Sequence, residues 1–209
     1  MSLPNQFVYL KDIDPSIIQD MKYFTHDNFI GRPIAGYEAA QCILTKSAAL
    51  ALAQVQQKLK QQSLSLKVFD CYRPQIAVND FIQWSQDPTD QKMKEQYYPR
   101  VNKADLFTLG YIAAKSGHTR GSTVDLTIVH IKHPSQQLDM GTHFDFMDEF
   151  SHTFSEHIQG EKRENRLLLR NLMQEANFNP YDKEWWHFTL KNELFPDTYF
   201  DFPVKDHSY

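Results

Sequence analysis

The sequence predicts an α+β fold: one domain spanning residues 1–209, with a small central sheet, antiparallel or mixed, flanked by helices. Three observations carry this expectation. Short runs of β-branched and aromatic residues are interspersed with longer runs rich in Ala, Leu, Gln and Lys, and the strand-like runs are few. Pro and Gly are scattered rather than gathered into a linker, so nothing divides the chain. No repeat or low-complexity tract interrupts it, and 209 residues bury a core without staples.

The elements follow in order. Phe7 to Leu10 reads as a short strand. Tyr23 to Tyr37 contains Gly31, Pro33 and Gly36 and is expected to be irregular. From Ala39 to Gln62, apolar Ile43, Leu50, Val55 and Leu59 recur at near-helical spacing, which predicts one long amphipathic helix. Leu66 to Tyr72 reads as a buried strand. Ile76 to Trp84 reads as a helix that stops before Asp87-Pro88. Leu106 to Lys115 reads as a helix ending at Gly117. Thr123 to Ile131 is β-branched and reads as a strand. Met140 to Glu149 mixes acids and aromatics without a period, as a pocket-lining loop would, or an exposed loop anchored by Phe. Glu164 to Ala176 reads as a helix with Leu167, Leu168, Leu169 and Leu172 on or near one face. Trp185 to Leu190 reads as the last strand.

Composition excludes several classes. Apolar residues make up 41% and charged residues 23%, the balance of a soluble globule. The net charge of −4, with no block of Lys or Arg, argues against a nucleic-acid partner. No apolar run reaches the ~18 residues of a membrane span. The start, Met1-Ser2-Leu3-Pro4-Asn5-Gln6, lacks a basic segment followed by an apolar one, so the cytoplasm is the expected compartment, with a trimmed periplasmic form as the alternative. Cys42 and Cys71 can form one disulfide but no framework, and Cys71, within Val68-Phe69-Asp70-Cys71-Tyr72, reads as a small buried residue.

Two polar runs carry chemistry. The first, Ser116-Gly117-His118-Thr119-Arg120-Gly121-Ser122-Thr123-Val124-Asp125, has the pattern S-x-H-x-x-G-x-x-x-D. Gly121 and the β-branched residues after it argue for a loop feeding a strand, with Asp125 and Thr127 facing away from Val124, Leu126 and Ile128. A carboxylate among such neighbours is costly to bury unless a cation meets it. Taken singly, Asp125 reads better as a turn or hydrogen-bonding residue and His118 as a surface loop side chain; the combination with the E-x-x-H of the second run reverses that reading. The second run, Glu184-Trp185-Trp186-His187-Phe188, supplies E-x-x-H. Together, two His and one Asp leave a fourth position open on a tetrahedral zinc, the arrangement of a catalytic rather than a structural site. Glu184 is then free to deprotonate a water. This predicts a hydrolase with one Zn2+ per chain.

The second run contains a tension. Glu184 and His187 share a face on a helix, but the run is strand-prone, and on a regular strand they face opposite sides. A bend or bulge near Trp185 is needed for both to reach one metal. At least one of Trp185 and Trp186 is expected in the core. Arg73, at a strand end before Pro74, either stabilises a developing oxyanion or pairs with Asp70.

These segments resemble the D-alanyl-D-alanine dipeptidases of the VanX type. They belong to a zinc peptidase group that also holds D-Ala-D-Ala carboxypeptidases and some phage endolysins. The likeness extends through F-D-C-Y-R-P, Y-Y-P-R, M-G-T-H-F-D-F-M-D-E and the closing Y-F-D-F-P-V-K, roughly Tyr23 to Lys205. The E-W-W-H and S-x-H-x-x-G-x-x-x-D pair is common to the wider group; M-G-T-H-F-D-F-M-D-E and F-D-F-P-V-K are more specific to the dipeptidases. The family often has Ser where this chain has Gly117, a departure that removes no ligand.

The resemblance implies an α+β fold with zinc in a narrow cleft and a non-helical E-x-x-H. It implies that His118, Asp125 and His187 bind zinc, that Glu184 is the general base and that Arg73 polarises the scissile carbonyl. Asp145 would meet the substrate's ammonium, Ser116 the dipeptide backbone, and Tyr23 would line the pocket. The implied partner is a small dipeptide, D-Ala-D-Ala, cut to two D-alanines. The alternatives are a D,D- or L,D-carboxypeptidase or endopeptidase acting on peptidoglycan peptides, and a zinc-binding module without catalysis.

Overall fold

The β-branched and aromatic runs assemble one sheet, and the Ala- and Leu-rich runs cover it. The computed structural model describes residues 3–207. Met1 and Ser2, which open the segment inspected for an export signal, lie outside them. The chain runs β1 (Phe7–Tyr9), α1 (Leu10–Ile13), β2 (Ile18–Gln19), β3 (Ile43–Thr45), α2 (Lys46–Lys60), β4 (Leu64–Asp70), α3 (Gln75–Gln86), α4 (Lys94–Tyr97), β5 (Thr123–His130), β6 (His133–Gln137), α5 (Glu161–Glu175), β7 (Phe178–Tyr181) and β8 (Glu184–Leu190). The main sheet has the order β2-β4-β5-β8-β7, with β6 also paired to β5. Only the β2–β4 pairing is parallel. The fold is the expected α+β.

β5 lies at the centre of this sheet, and every residue from Thr123 to Val129 is buried. α2 packs on β4, and α5 on β7 and β8. The last turn of the chain is a clasp. Phe200 N donates to Thr119 O at 3.0 Å, Tyr72 OH to Phe202 O at 2.9 Å, and Val204 N to Gly36 O at 2.8 Å. Phe200 and Phe202 meet the Phe7 ring edge-on at 5.0 and 5.1 Å. No helix among the described residues is long and apolar enough to cross a membrane.

Two expectations need correction. The helix expected from Ala39 begins only at Lys46, because Ile43–Thr45 is strand β3, paired in register Phe7↔Thr45, Val8↔Leu44 and Tyr9↔Ile43. The buried stripe of α2 is Ala48, Leu52, Val55 and Leu59, and Leu50 is exposed: a run with Ile43 in it mixes two periods. The helix expected over Leu106–Lys115 is a series of turns. Gly110 takes φ 84°, and the Leu109 and Gly110 carbonyls accept from Lys183 Nζ and Tyr181 OH instead of from helical amides. Cys71 is buried as expected, but it is bonded to Cys42, joining the end of β4 to the start of β3.

That bridge spans a sequence separation of 29 residues. Replacing Cys42 and Cys71 together by Ala is expected to lower the unfolding free energy by about 3 kcal/mol, through loss of the constraint on the unfolded chain. Urea denaturation of wild type, with and without reductant, and of the double variant measures it. Coincident midpoints would show that the bridge adds nothing.

Candidate active site

Strand register brings the first polar groups together. Asp125 on β5 is the Cα partner of Asp70 on β4 and of His187 on β8. Cross-strand partners project to the same face, so these three side chains form one row. The β7–β8 ladder supplies the bulge that the E-x-x-H spacing requires. Pro180 pairs with Phe188 but Tyr181 with Glu184, which leaves Trp185, Trp186 and His187 unmatched on that side. Glu184 Oε2 then lies 3.6 Å from His187 Nδ1. Both Trp185 and Trp186 are buried.

His118 arrives from outside the sheet. A 3-10 turn over Gly117–Arg120 precedes β5; Ser116 Oγ accepts from its His118 N–H at 3.2 Å, and Gly121 closes it at φ 85°. The Arg73 N–H donates to the His118 carbonyl, tying the turn to the end of β4. His118 Nδ1 donates to the Cys71 carbonyl at 2.7 Å, so Nε2 faces the site with its lone pair. Nε2 lies 3.2 Å from Asp125 Oδ2 and 3.3 Å from His187 Nδ1. The ligand atoms of His118, Asp125 and His187 all fall within 4.8 Å of one another. Asp125 Oδ1 is buried and accepts no hydrogen bond, although His187 Nδ1 is 3.0 Å away. Two imidazoles and a partly unsatisfied buried carboxylate, converging on one point, fit a divalent cation.

All of the residues nominated from sequence line one cavity of about 200 Å³. This is smaller than the roughly 300–1,000 Å³ of sites for drug-sized ligands. Of the two alternatives for Arg73, the ion pair with Asp70 is formed, Nε at 2.9 Å and Nη2 at 2.8 Å from Oδ2; Arg73 also looks into the cavity, Nη2 being 3.8 Å from Asp125 Oδ2. Its guanidinium stacks over the rings of Tyr23 and Phe81, 5.0 and 5.1 Å from their centroids. Asp145 reaches the cavity from the Met140–Glu149 loop, where it adopts φ 60°, and its Oδ2 accepts from Tyr23 OH at 2.7 Å. Ser116 lines the cavity while capping the His118 turn.

The electrostatics are those of crowded carboxylates around one guanidinium. Burial would raise the Asp125 carboxyl, but the imidazoles of His118 and His187 hold it below the usual carboxylate range. Burial lowers His187, against the pull of Asp125. Asp145 is pushed well up by burial and by the charge of Asp125, only partly countered by Tyr23 and Arg73. Glu184 is pushed well up by burial and by Asp125 and Asp145. Burial works against the Arg73 charge, yet Asp70 and the phenols of Tyr23 and Tyr37 hold it protonated.

Sequence reading gave Asp70 only as a salt-bridge partner. It is fully buried and also accepts from Tyr37 OH at 2.6 Å, so it anchors Arg73 from behind. Tyr111 and Tyr181 line the cavity and were not anticipated. Tyr111 was hidden by the false helix. Tyr181 had one signal, its position just before the turn into E-x-x-H.

This small cavity, set over the inner strands of the sheet, gathers the groups that a metal-dependent hydrolase needs. Comparison with known proteins narrows the class. The profile of the peptidase M15 family, described as D-ala-D-ala dipeptidase, matches residues 4–205, and the chain belongs to that family. It is 43% identical over 202 residues to a D-alanyl-D-alanine dipeptidase of Enterococcus faecalis, covering 97% of this chain and 100% of the relative. It is 41% identical over 202 residues to one from Streptomyces coelicolor, with the same coverage of 97% and 100%. A dipeptidase of the same name from Escherichia coli is 36% identical over 190 residues, 91% of this chain and 87% of the relative.

The turn that delivers His118 is testable at Gly121. A Cβ there would sit 2.3 Å from Phe7 Cε1, on a residue at φ 85°. Gly121→Ala is expected to destabilise the fold by more than about 1 kcal/mol and to weaken metal retention. Thermal denaturation with a metal assay on the purified variant checks both. Wild-type melting would show that Phe7 gives way without cost.

Proposed function

We propose that this protein hydrolyses D-Ala-D-Ala to two D-alanines, using one zinc held by His118, Asp125 and His187. The observation that supports this reading is that one cavity of about 200 Å³ contains both the converged ligand atoms and the buried carboxylate of Asp145. The dipeptidase names of its relatives favour the same substrate. When bound, zinc supplies a positive charge and a water acidified to a pKa of about 7.

The chain's own residues do the rest. Glu184, raised by burial, takes a proton from the attacking water and returns it to the leaving amine. Arg73, fixed by Asp70 and the aromatic rings beneath it, supports the charge that develops on the carbonyl oxygen. Asp145, oriented by Tyr23 OH, receives the substrate's α-ammonium. A substrate with a blocked amino terminus brings no cation to Asp145, so the pairing of a buried carboxylate with an ammonium is lost. This is the ground for a dipeptidase over a carboxypeptidase on longer precursors. Ser116 contacts the dipeptide backbone. The Cys42–Cys71 bridge favours an oxidising, extracytoplasmic site of action over the cytoplasm, because disulfides persist there.

Free D-Ala-D-Ala and its N-acetyl derivative, each assayed for released D-alanine with added zinc and with chelator, separate the readings. Turnover of the free dipeptide that requires metal, with little or none of the acetylated one, is expected. Preference for the acetylated substrate would exclude the dipeptidase. Glu184→Gln is expected to lower kcat by about 10²–10⁴ with zinc content unchanged. Full activity in that variant would remove the base assigned here.

A further inference from the structure

The loop that carries Asp145 has little regular structure to hold it; its one ordered piece is a 3-10 turn over Glu149–Ser151. Yet Asp145 keeps φ 60°, a left-handed conformation that a non-glycine residue holds only when its surroundings over-determine it. Close to Asp145, Tyr23 OH donates to its carboxylate and the Met147 N–H donates to the Tyr97 carbonyl at 2.8 Å; the loop as a whole is held by Arg166. This side chain on α5 is fully buried, and its donors meet uncharged oxygens: Nε to Met140 O at 2.6 Å, Nη1 to His152 O at 2.8 Å, Nη2 to Phe150 O at 2.9 Å and to Thr142 Oγ1 at 3.4 Å. Two of these acceptors lie before Asp145 and two after it. One planar fork therefore pins both ends of the loop.

The same network ties the loop to the reacting centre. Thr142 Oγ1 lies 3.0 Å from Ser151 Oγ and accepts from Trp185 Nε1 at 2.9 Å. Trp185 follows Glu184 in β8. The path Arg166–Thr142–Trp185 thus fixes the loop bearing Asp145 relative to the strand bearing Glu184 and His187. A buried guanidinium facing only neutral oxygens is a poor way to fill a core, since apolar side chains do so without desolvating a charge. Its geometry suits a different task, gathering several carbonyls at once, for which a lysine's compact ammonium is not equivalent.

We infer that Arg166 is a positioning residue for substrate selection: by clamping the Met140–His152 loop it sets the distance from Asp145 to the catalytic row. This rests on the reading of Asp145 as the ammonium seat. The test is a double-mutant cycle of Arg166→Lys with Asp145→Asn, measured as kcat and KM for D-Ala-D-Ala on zinc-loaded protein, with circular dichroism and zinc content alongside. R166K is expected to lose about 10- to 100-fold in kcat/KM, mainly through KM, with zinc content unchanged. The double variant is expected to be no worse than D145N alone, because both changes disable one element. Losses that multiply in the double variant, or an R166K loss confined to kcat or accompanied by lost zinc, overturn the inference while the ammonium seat stands. D145N with wild-type kcat/KM overturns the seat, and the inference with it. Should R166K not fold, Thr142→Val takes its place, since it removes the hydroxyl through which Arg166 and Ser151 are joined to Trp185. The same non-additivity with D145N supports the inference, and additive losses or an unchanged KM refute it.

Discussion

The pairing of β5 with its two neighbours is the constraint on which the site depends. Asp70, Asp125 and His187 share a face only because their Cα atoms are opposed across three strands. A slip of one residue in either ladder would turn Asp125 or its partner to the far side. The register has an electrostatic consequence. It sets two carboxylates side by side, and Arg73, 2.8 Å from Asp70 and 3.8 Å from Asp125, answers both. Asp145 and Glu184 then have no full counter-charge, and burial and mutual repulsion push both carboxyls up. Such a cavity disfavours further negative charge. Its field favours the two positive charges of the proposed reaction, a divalent metal and an α-ammonium.

Regular and irregular backbone divide the labour. Two of the three candidate ligands, Asp125 and His187, ride on paired strands. The groups proposed to act on substrate sit where regular structure ends: Glu184 at a bulge, Arg73 just past the end of β4, Asp145 at φ 60° in a loop. Irregular backbone is what lets side chains from one strand approach a point that a flat sheet would present to only every second residue. It needs external support, and the supports are visible: the Asp70 and Tyr37 pair behind Arg73, and Arg166 beneath the Asp145 loop.

The legible part of the sequence was the part whose physics is local. Strand β5 is readable from Thr123 to His130 because β-branched residues in a run leave few other conformations. The candidate ligand set is readable because two His and one Asp, in the S-x-H-x-x-G-x-x-x-D and E-x-x-H runs, match the donor set of an open zinc site. Even the bulge at Trp185 follows from asking what E-x-x-H on a strand would require. What was not legible depends on partners distant in sequence. Ile43–Thr45 has helical neighbours and becomes a strand because β1 pairs with it. Leu106–Lys115 has helical composition and becomes turns because Tyr181 and Lys183 claim its carbonyls. Arg166 sits on a helix with charged neighbours, and nothing in that pattern marks it as buried.

The disulfide connects the local and the distant levels. Of His118's two nitrogens, only the one not donating to protein can offer a lone pair to a metal, so the Cys71 carbonyl decides the tautomer that matters. That carbonyl belongs to the residue bonded to Cys42, and the Tyr72 N–H next to it donates to the Ile43 carbonyl beside Cys42. Ile43 in turn pairs with Tyr9 of β1, whose Phe7 ring packs on Gly121 at the other end of the His118 turn. The amino-terminal ribbon therefore grips the His118 turn from both sides, through the bridge at its start and through Phe7 at its close. A side chain carried by a short 3-10 turn would otherwise have few restraints; this circuit of contacts holds the candidate ligand His118 beside Asp125 and His187.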